Sequence, residues 1–195
     1  MDATEYFDDL LESVGLFQQF CGTWTKGLQA DSVARLLGAN MRSKSMRTMH
    51  DVNANLWRID HRTPVLLVGP ASDSWTLAIE PQSYRGAEPD RLRNLSSGNG
   101  QAINIHWTVN LTSGLTLAEN GTIITGLSLT NPYVDREGEN PARLDEQLEA
   151  FGLVAGRNFN EQVATAFLLV NRLTGFMLNS EWFSTLQTQY LGEKR

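Results

Sequence analysis

The sequence has little of what several protein classes require. It contains one cysteine, Cys21, so it cannot form an internal disulfide, and we expect a reducing, cytoplasmic setting. No apolar run approaches the roughly 18–20 residues that span a bilayer. The acidic N-terminus, M-D-A-T-E-Y-F-D-D, lacks the basic start and the apolar stretch of a secretory signal. We therefore expect no membrane contact.

The chain is also short of positive charge. It has 16 Lys and Arg against 22 Asp and Glu, and this net charge of −6 disfavours non-specific binding to a phosphate backbone. Residues 42–62 depart from that balance, with five basic side chains against two acidic ones, and nearby methionines suit an adaptable contact surface. We expect nucleic acid or an acidic partner to bind, if at all, through this segment. The alternative is a solvated loop or an amphipathic helix.

Catalytic motifs are missing as well. The sequence has no glycine-rich phosphate loop, no G-x-S-x-G and no C-x-x-C. Of its three histidines, His50 and His61 each adjoin an aspartate but lack the i, i+4 spacing of helical metal ligands. Cys21 continues an apolar helical stripe, which predicts a buried thiol. We therefore predict no catalytic residue, no metal and no cofactor, and we expect that the protein is not an enzyme.

Helical signals fill the two terminal thirds of the chain. Apolar residues recur three and four positions apart there, and Gly38, Gly152 and Gly175 can take the left-handed position that follows a helix. Pro89 suits the first position of a further, central helix. The predicted helices cover residues 4–21, about 30–37, about 88–95, 143–151, about 161–174 and about 180–190.

The central part predicts a sheet. An apolar run at 64–70 and alternating runs at 74–80 and 102–110 read as strands, and Asn120-Gly121 is a strong hairpin signal between two more. We expect one α+β domain over residues 1–195, with about five mainly antiparallel strands between roughly 64 and 130. The helices are expected on the apolar face of that sheet. Residues 40–62 have no clean period and receive no assignment.

The other face of the predicted sheet is unusually polar. Asn104, His106 and Asn110 alternate with apolar residues, and asparagine is depleted in strands. Glu80 ends the 74–80 strand, and Tyr84 and Arg85 come just after it. These three residues lie on the same side as the asparagines if the 74–80 and 102–110 strands adjoin. We therefore predict a ligand- or partner-binding surface made of Glu80, Tyr84, Arg85, Asn104, His106 and Asn110. Among the five tryptophans, Trp24 and Trp57 are the two expected to face a ligand.

Several motifs resemble a set of uncharacterised bacterial domains that is abundant in actinobacteria. These motifs include F-C-G-T-W-T-K-G-L (20–28), W-T-L-A-I-E (75–80), W-T-V-N (107–110) and A-E-N-G (118–121). The resemblance implies a shared fold and a bacterial cytoplasmic setting, and it implies no activity. Such domains often place Asn-Gly-aromatic after the glutamate strand, where this chain has P-Q-S-Y-R-G (81–86).

Three functions stay open from the sequence. The leading hypothesis is a non-catalytic interaction or regulatory module, conflict- or phage-related, that binds a protein partner. The second is a small-molecule sensor that uses the polar sheet face. The third is a hydrolase with His106 as its base and Glu80 as the orienting group. The oligomeric state does not follow from the sequence.

Overall fold

A computed structural model describes residues 2–110, 112–134, 136–152 and 157–193 of the chain. The fold is α+β with a mainly antiparallel sheet, as predicted. In the described residues the helices are α1 (Ala3–Ser13), α2 (Ala30–Leu36), α3 (Met49–Leu56), α4 (Pro89–Leu95), α5 (Asp145–Phe151), α6 (Phe159–Thr174) and α7 (Ser180–Ser184). The strands are β1 (Phe20–Lys26), β2 (Ala39–Arg47), β3 (Val65–Ser72), β4 (Trp75–Ile79), β5 (Gln101–Trp107), β6 (Ser113–Glu119), β7 (Thr122–Leu127) and β8 (Gln187–Gly192).

The sheet has eight strands, so the expectation of about five was too low. Their order is β2-β8-β3-β4-β1-β5-β6-β7, and every neighbouring pair is antiparallel. The three strands missed in the sequence come from outside the 64–130 segment. One of them, β1, lies between β4 and β5 at the centre of the sheet.

Helices pack on both faces of the sheet rather than on one. On the larger face α1 and α6 bring Phe7 and Phe167 together with 4.6 Å between ring centroids, and Trp107 stacks on Phe20 below them. On the opposite face α2 and α4 cover a smaller apolar cluster that includes Leu37 and Leu95. This second layer matters because it lies over the side of the sheet that carries the polar residues.

Capping and glycine geometry explain where most helices end. Helix α4 has Pro89 at its start, α6 ends at Gly175 with φ +71°, and Asn120 and Gly121 both have positive φ in the β6–β7 hairpin, as predicted. The predicted helix over 4–21 is wrong beyond Ser13, because Gly15 takes a φ of +67° and breaks it. Cys21 therefore lies in strand β1, not on a helical stripe.

The two edges of the sheet differ. At the β7 edge the chain returns and pairs with it, because Gly126 N–H donates to Glu137 O at 2.9 Å and Asn140 N–H donates to Ile124 O at 2.9 Å. At the β2 edge no segment of the described residues adds a further strand. Strand β2 also carries a bulge between Asn40 and Ser45, so its regular pairing near α3 is confined to residues 45–47.

None of the helices in the described ranges combines the length and the apolar character needed to cross a membrane.

Candidate functional site

The polar residues of the central strands meet under a loop of the chain's own. Cys21 in β1 pairs with His106 in β5, and Thr23 pairs with Asn104. On the other side of β1, Glu80 N–H donates to Cys21 O at 2.9 Å. Glu80 and Asn104 therefore lie on one face with β1 between them, and residues 81–87 fold back over both. We call Cys21, Thr23, Glu80, Asn104 and His106 the polar cluster.

Glu80 organises the covering loop. One carboxylate oxygen accepts a hydrogen bond from Gly86 N–H at 2.7 Å, and the other accepts from Arg85 N–H at 3.0 Å and from the Ser83 hydroxyl. The Cys21 thiol donates to the first oxygen at 3.6 Å. A buried carboxylate is tolerated when its oxygens are hydrogen-bonded, and these donors meet that need. Glu80 thus fixes the loop, and its oxygens are turned away from solvent.

Asn104 is the hub on the other side of β1. Its side-chain N–H₂ group contacts the Thr23 hydroxyl at 2.9 Å, Gly22 O at 3.2 Å and the Cys21 sulfur at 3.4 Å. Its Oδ1 lies 2.9 Å from His106 Nδ1. Because an amide oxygen only accepts, Nδ1 carries the proton in the neutral imidazole. Asn104, rather than Glu80, is therefore the group that orients His106.

Protonation in the cluster follows from burial. Burial lowers the pKa of His106, so its imidazole is neutral at pH 7 with the lone pair on Nε2. Burial also raises the pKa of the Cys21 thiol well above its ordinary value, and the nearby charge of Glu80 raises it further. A thiol that stays protonated is a poor nucleophile. The cluster therefore combines a half-buried, neutral base with groups that are engaged in holding the fold.

The six residues of the predicted surface separate into three groups. Glu80, Arg85 and Asn104 are buried, and the Arg85 guanidinium donates to Gly38 O at 3.0 Å and to Glu193 O at 2.5 Å. Tyr84 and His106 are half-buried, and the Tyr84 hydroxyl donates to the side-chain oxygen of Gln19 at 3.0 Å. Asn110 lies apart, exposed beyond the end of β5. The structure thus brings Glu80, Arg85, Asn104 and His106 into one network, which is mostly closed to solvent.

Sequence reasoning missed several members of this network, among them Thr23, Ser83 and Gly86. A Cβ added to Gly86 would lie 2.0 Å from the Thr23 hydroxyl, so the loop approaches the sheet as closely as only glycine allows. A period-two pattern was available in F-C-G-T-W-T-K, where Cys21 and Thr23 alternate with Phe20 and Trp24. It was hidden because Cys21 also continues the apolar spacing of the first helix, so the predicted helix ran into β1.

The outer side of the loop borders a cavity of about 330 Å³. We call it the loop cavity, and it is lined by His61, Arg62, Pro64, Gln82, Ser83, Tyr84, Arg85 and Glu88. Two residues of the predicted surface, Tyr84 and Arg85, thus face this cavity. In the part of the chain that the structure describes, no group of three or more His, Cys, Asp or Glu side chains converges to hold a metal ion.

A second surface lies at the open edge of the sheet. A groove of about 460 Å³ runs between the ends of β2 and β8 and helix α3. We call it the β2–α3 groove, and its lining includes Met46, Arg47, Asp51, Arg58, Leu186 and Gln189. Met46 and Leu186 are about half exposed. Both belong to segments that the sequence left without a strand.

Two arginines and one aspartate line this groove. In the described residues neither Arg47 nor Arg58 forms a salt bridge. The groove's carboxylate, Asp51, is held by Thr48 in the capping box of α3. That hydrogen bonding lowers the pKa of Asp51, and the charge of Arg47 adds to the effect. The groove therefore presents two guanidinium groups and one carboxylate, which already accepts hydrogen bonds from Thr48.

The two tryptophans that were expected to face a ligand lie in different environments. Trp57, next to α3, is 76% exposed, and the Arg58 guanidinium lies 4.8 Å from its ring centroid. Trp24 is fully buried in the core against Phe20 and Phe167, so the expectation that it faces a ligand is wrong. Its position in the unrecognised strand β1 explains the error.

Comparison with curated proteins and with solved structures gave no match. A protein-family profile described as "Family of unknown function (DUF6461)" matches residues 5–190, which is nearly the whole chain and includes the polar cluster and the groove residues named above. The chain therefore belongs to DUF6461, a family of unknown function.

Proposed function

We propose that this protein is a non-catalytic interaction module of the bacterial cytoplasm that binds a protein partner through the β2–α3 groove. The observation that carries the proposal is a pair of exposed apolar side chains that line this groove, Met46 and Leu186, with the exposed Trp57 beside the groove residue Arg58. Aromatic residues, methionine and arginine are the residues most enriched at protein interfaces. Two arginines, Arg47 and Arg58, line the same groove.

The state of the polar cluster agrees with a non-catalytic role. Its carboxylate and its asparagine are buried, and their hydrogen bonds hold the 81–87 loop on the sheet. A catalytic base needs a substrate atom within hydrogen-bond reach. Glu80 is covered by its own loop, and the Cys21 thiol is fully buried. A regulatory, conflict- or phage-related setting is part of this proposal.

The proposal is tested by affinity purification from cells of the native host with three forms of the protein. Wild type is compared with Arg47→Glu/Arg58→Glu and with His106→Ala/Asn110→Ala, which alters the polar sheet face. We expect a protein that is enriched by wild type and by the polar-face variant, lost with the groove variant, and able to form a complex with the purified chain. Enrichment that does not depend on Arg47 and Arg58, or no enriched protein, contradicts the proposal.

A matched variant separates the groove from net charge. Arg93→Glu/Arg143→Glu carries the same net charge as the groove variant, but it alters the covered β7 edge. Arg93 lines a surface depression beside Gly121 and Ile123, and Arg143 follows the segment that pairs with β7. Binding should survive in this control. Equal loss in both variants would mean that overall charge, and not the groove, governs the interaction.

We propose small-molecule binding at the loop cavity as the second candidate. The favouring observation is that Glu80 holds the loop carrying Tyr84 and Arg85 in a fixed conformation at the cavity wall. Pre-formed walls are typical of ligand pockets. Thermal-shift screening with small carboxylates and phosphates should then give stabilisation that Tyr84→Ala removes, and a screen without any Tyr84-dependent shift excludes this candidate.

A further inference from the structure

We infer that the partner segment which fills the β2–α3 groove is acidic and extended, and that it adds as a short strand to the open edge of β2. This inference rests on the proposed function, because it names the chemistry of the partner at the same groove. It is carried by three features of the described residues: an uncovered strand edge, guanidinium groups without a salt bridge, and exposed apolar side chains beside them.

The open edge supplies the hydrogen-bonding groups. An edge strand presents backbone N–H and C=O groups on its outer side, and native proteins usually cover or interrupt such edges. Here the chain covers β7 with residues 137–140 and leaves β2 uncovered within the described ranges. Extended peptides bind other proteins in this way, with backbone hydrogen bonds for affinity and side chains for specificity.

The bulge in β2 limits the length of the added strand. Between Asn40 and Ser45 the pairing with β8 shifts, and the Ser43 hydroxyl accepts the Leu191 N–H at 2.8 Å in place of a backbone carbonyl. The outer edge is therefore regular over residues 45–47. Bulges of this kind also discourage uncontrolled edge-to-edge pairing. A partner segment of about three paired residues must gain the rest of its affinity from side chains in the groove.

Charge decides the chemistry of the occupant. Arg47 and Arg58 line the groove, and Arg42 precedes it on the same strand, whereas Lys44 is paired with Asp31. Two copies of the chain that paired through β2 would bring these cations against one another, and like charges on paired strands are destabilising. A segment with Asp or Glu reverses the sign of that interaction. The exposed Met46 and Leu186 then favour an apolar residue next to the carboxylates.

The test uses a phage-displayed random dodecapeptide library selected on the full chain. Wild type should enrich peptides with two or more Asp or Glu near an apolar residue. Their affinity should fall at least tenfold on Arg47→Glu/Arg58→Glu and stay within twofold on Arg93→Glu/Arg143→Glu. The charge-reversed groove should in turn select peptides rich in Lys and Arg, which a merely destabilised variant would not do.

The outcomes separate the inference from the proposed function. Peptides that depend on Met46 and Leu186 but carry no acidic residues overturn the inference and leave the groove as a binding surface. A library without groove-dependent peptides overturns the inference as well, while the purification from host cells decides the proposed function independently. Hydrogen exchange tests the strand geometry. An acidic peptide should slow exchange at least tenfold for those amides in 45–47 that point away from β8, and protection confined to α3 contradicts strand addition.

Discussion

Replacing the Glu80 carboxylate by an amide measures how much the polar cluster contributes to the fold. In Glu80→Gln the side chain keeps its shape, but one of its two acceptor oxygens becomes an N–H₂ donor. That group then faces either the Gly86 N–H or the Arg85 N–H, which now lie 2.7 and 3.0 Å from the carboxylate oxygens. Whichever way the amide turns, one buried donor loses its acceptor.

The expected loss follows from these contacts. A hydrogen bond to a charged group contributes about 1.5–3 kcal/mol, and a buried N–H that is left without an acceptor costs about 1–3 kcal/mol. Removing a buried charge recovers part of its desolvation cost. We therefore expect the free energy of unfolding to fall by about 2–4 kcal/mol, which lowers the melting temperature of a chain this size by roughly 4–16 °C.

Urea and thermal unfolding followed by circular dichroism measure this loss. Glu149→Gln, at an exposed position on α5, is the matched control and should stay within about 0.5 kcal/mol of wild type. The effects of Ser83→Ala and Glu80→Gln should not add, because both substitutions change the hydrogen bond between the Ser83 hydroxyl and the residue 80 side chain. A Glu80→Gln protein as stable as its control would refute the organising role of Glu80.

Three further predictions concern the same cluster. Gly86→Ala should lower the free energy of unfolding in urea by about 1–3 kcal/mol, because the added Cβ meets the Thr23 hydroxyl. The double variant with Thr23→Ala should be destabilised by less than the sum of the two single variants. Strict additivity would contradict the close approach of the loop to Thr23. The buried Cys21 thiol should resist a disulfide reagent at pH 8 in the native protein and react once urea unfolds it. Rapid labelling of the native protein would contradict the burial that shields the thiol and raises its pKa. NMR titration should give His106 a pKa below 6.5. Because the unfolded chain then binds the proton more readily than the folded chain, the free energy of unfolding should fall as the pH drops below about 6.5. A His106 pKa at or above 6.5 would contradict this prediction.

The sequence predicted the elements whose ends are marked by proline, glycine or asparagine. Pro89 marks the start of α4, Gly175 marks the end of α6, and Asn120-Gly121 marks the β6–β7 turn, because each residue type is suited to one backbone conformation there. The central strands β4 and β5 were visible for a different reason. Their two faces differ in polarity, so the alternation survives in the sequence.

The missed strands were hidden in other ways. The apolar helical spacing that continues to Cys21 carried the predicted first helix into β1, and the bulge between Asn40 and Ser45 breaks the period of β2. In β8, Tyr190 stands eight residues after Trp182, and this spacing imitates a helical stripe across a helix end and a strand. The groove could not be predicted because both strands that form it were among those missed.

The structure brings four of the six predicted surface residues together, but it leaves most of them covered. Glu80, Arg85, Asn104 and His106 do lie together, although β1 separates the strands that carry Glu80 and Asn104. Alternation indicates which residues share a face of a sheet, but it does not say what covers that face. Here the cover is the 81–87 loop, which is held by hydrogen bonds to Glu80 that no sequence period records.

Photo-crosslinking beside the groove residue Arg58 tests the central claim most directly, because it captures a protein that is bound there in the cell. p-Benzoylphenylalanine in place of Trp57 is compared in host cells with the same group in place of Tyr133, which is 42% exposed and also lies against an arginine, at 5.0 Å from Arg136. We predict a crosslinked partner peptide at position 57 that contains acidic residues and disappears with Arg47→Glu/Arg58→Glu, and none at position 133. Equal crosslinking at both positions, or a product at 57 that survives the charge reversal, would contradict a binding site in the β2–α3 groove.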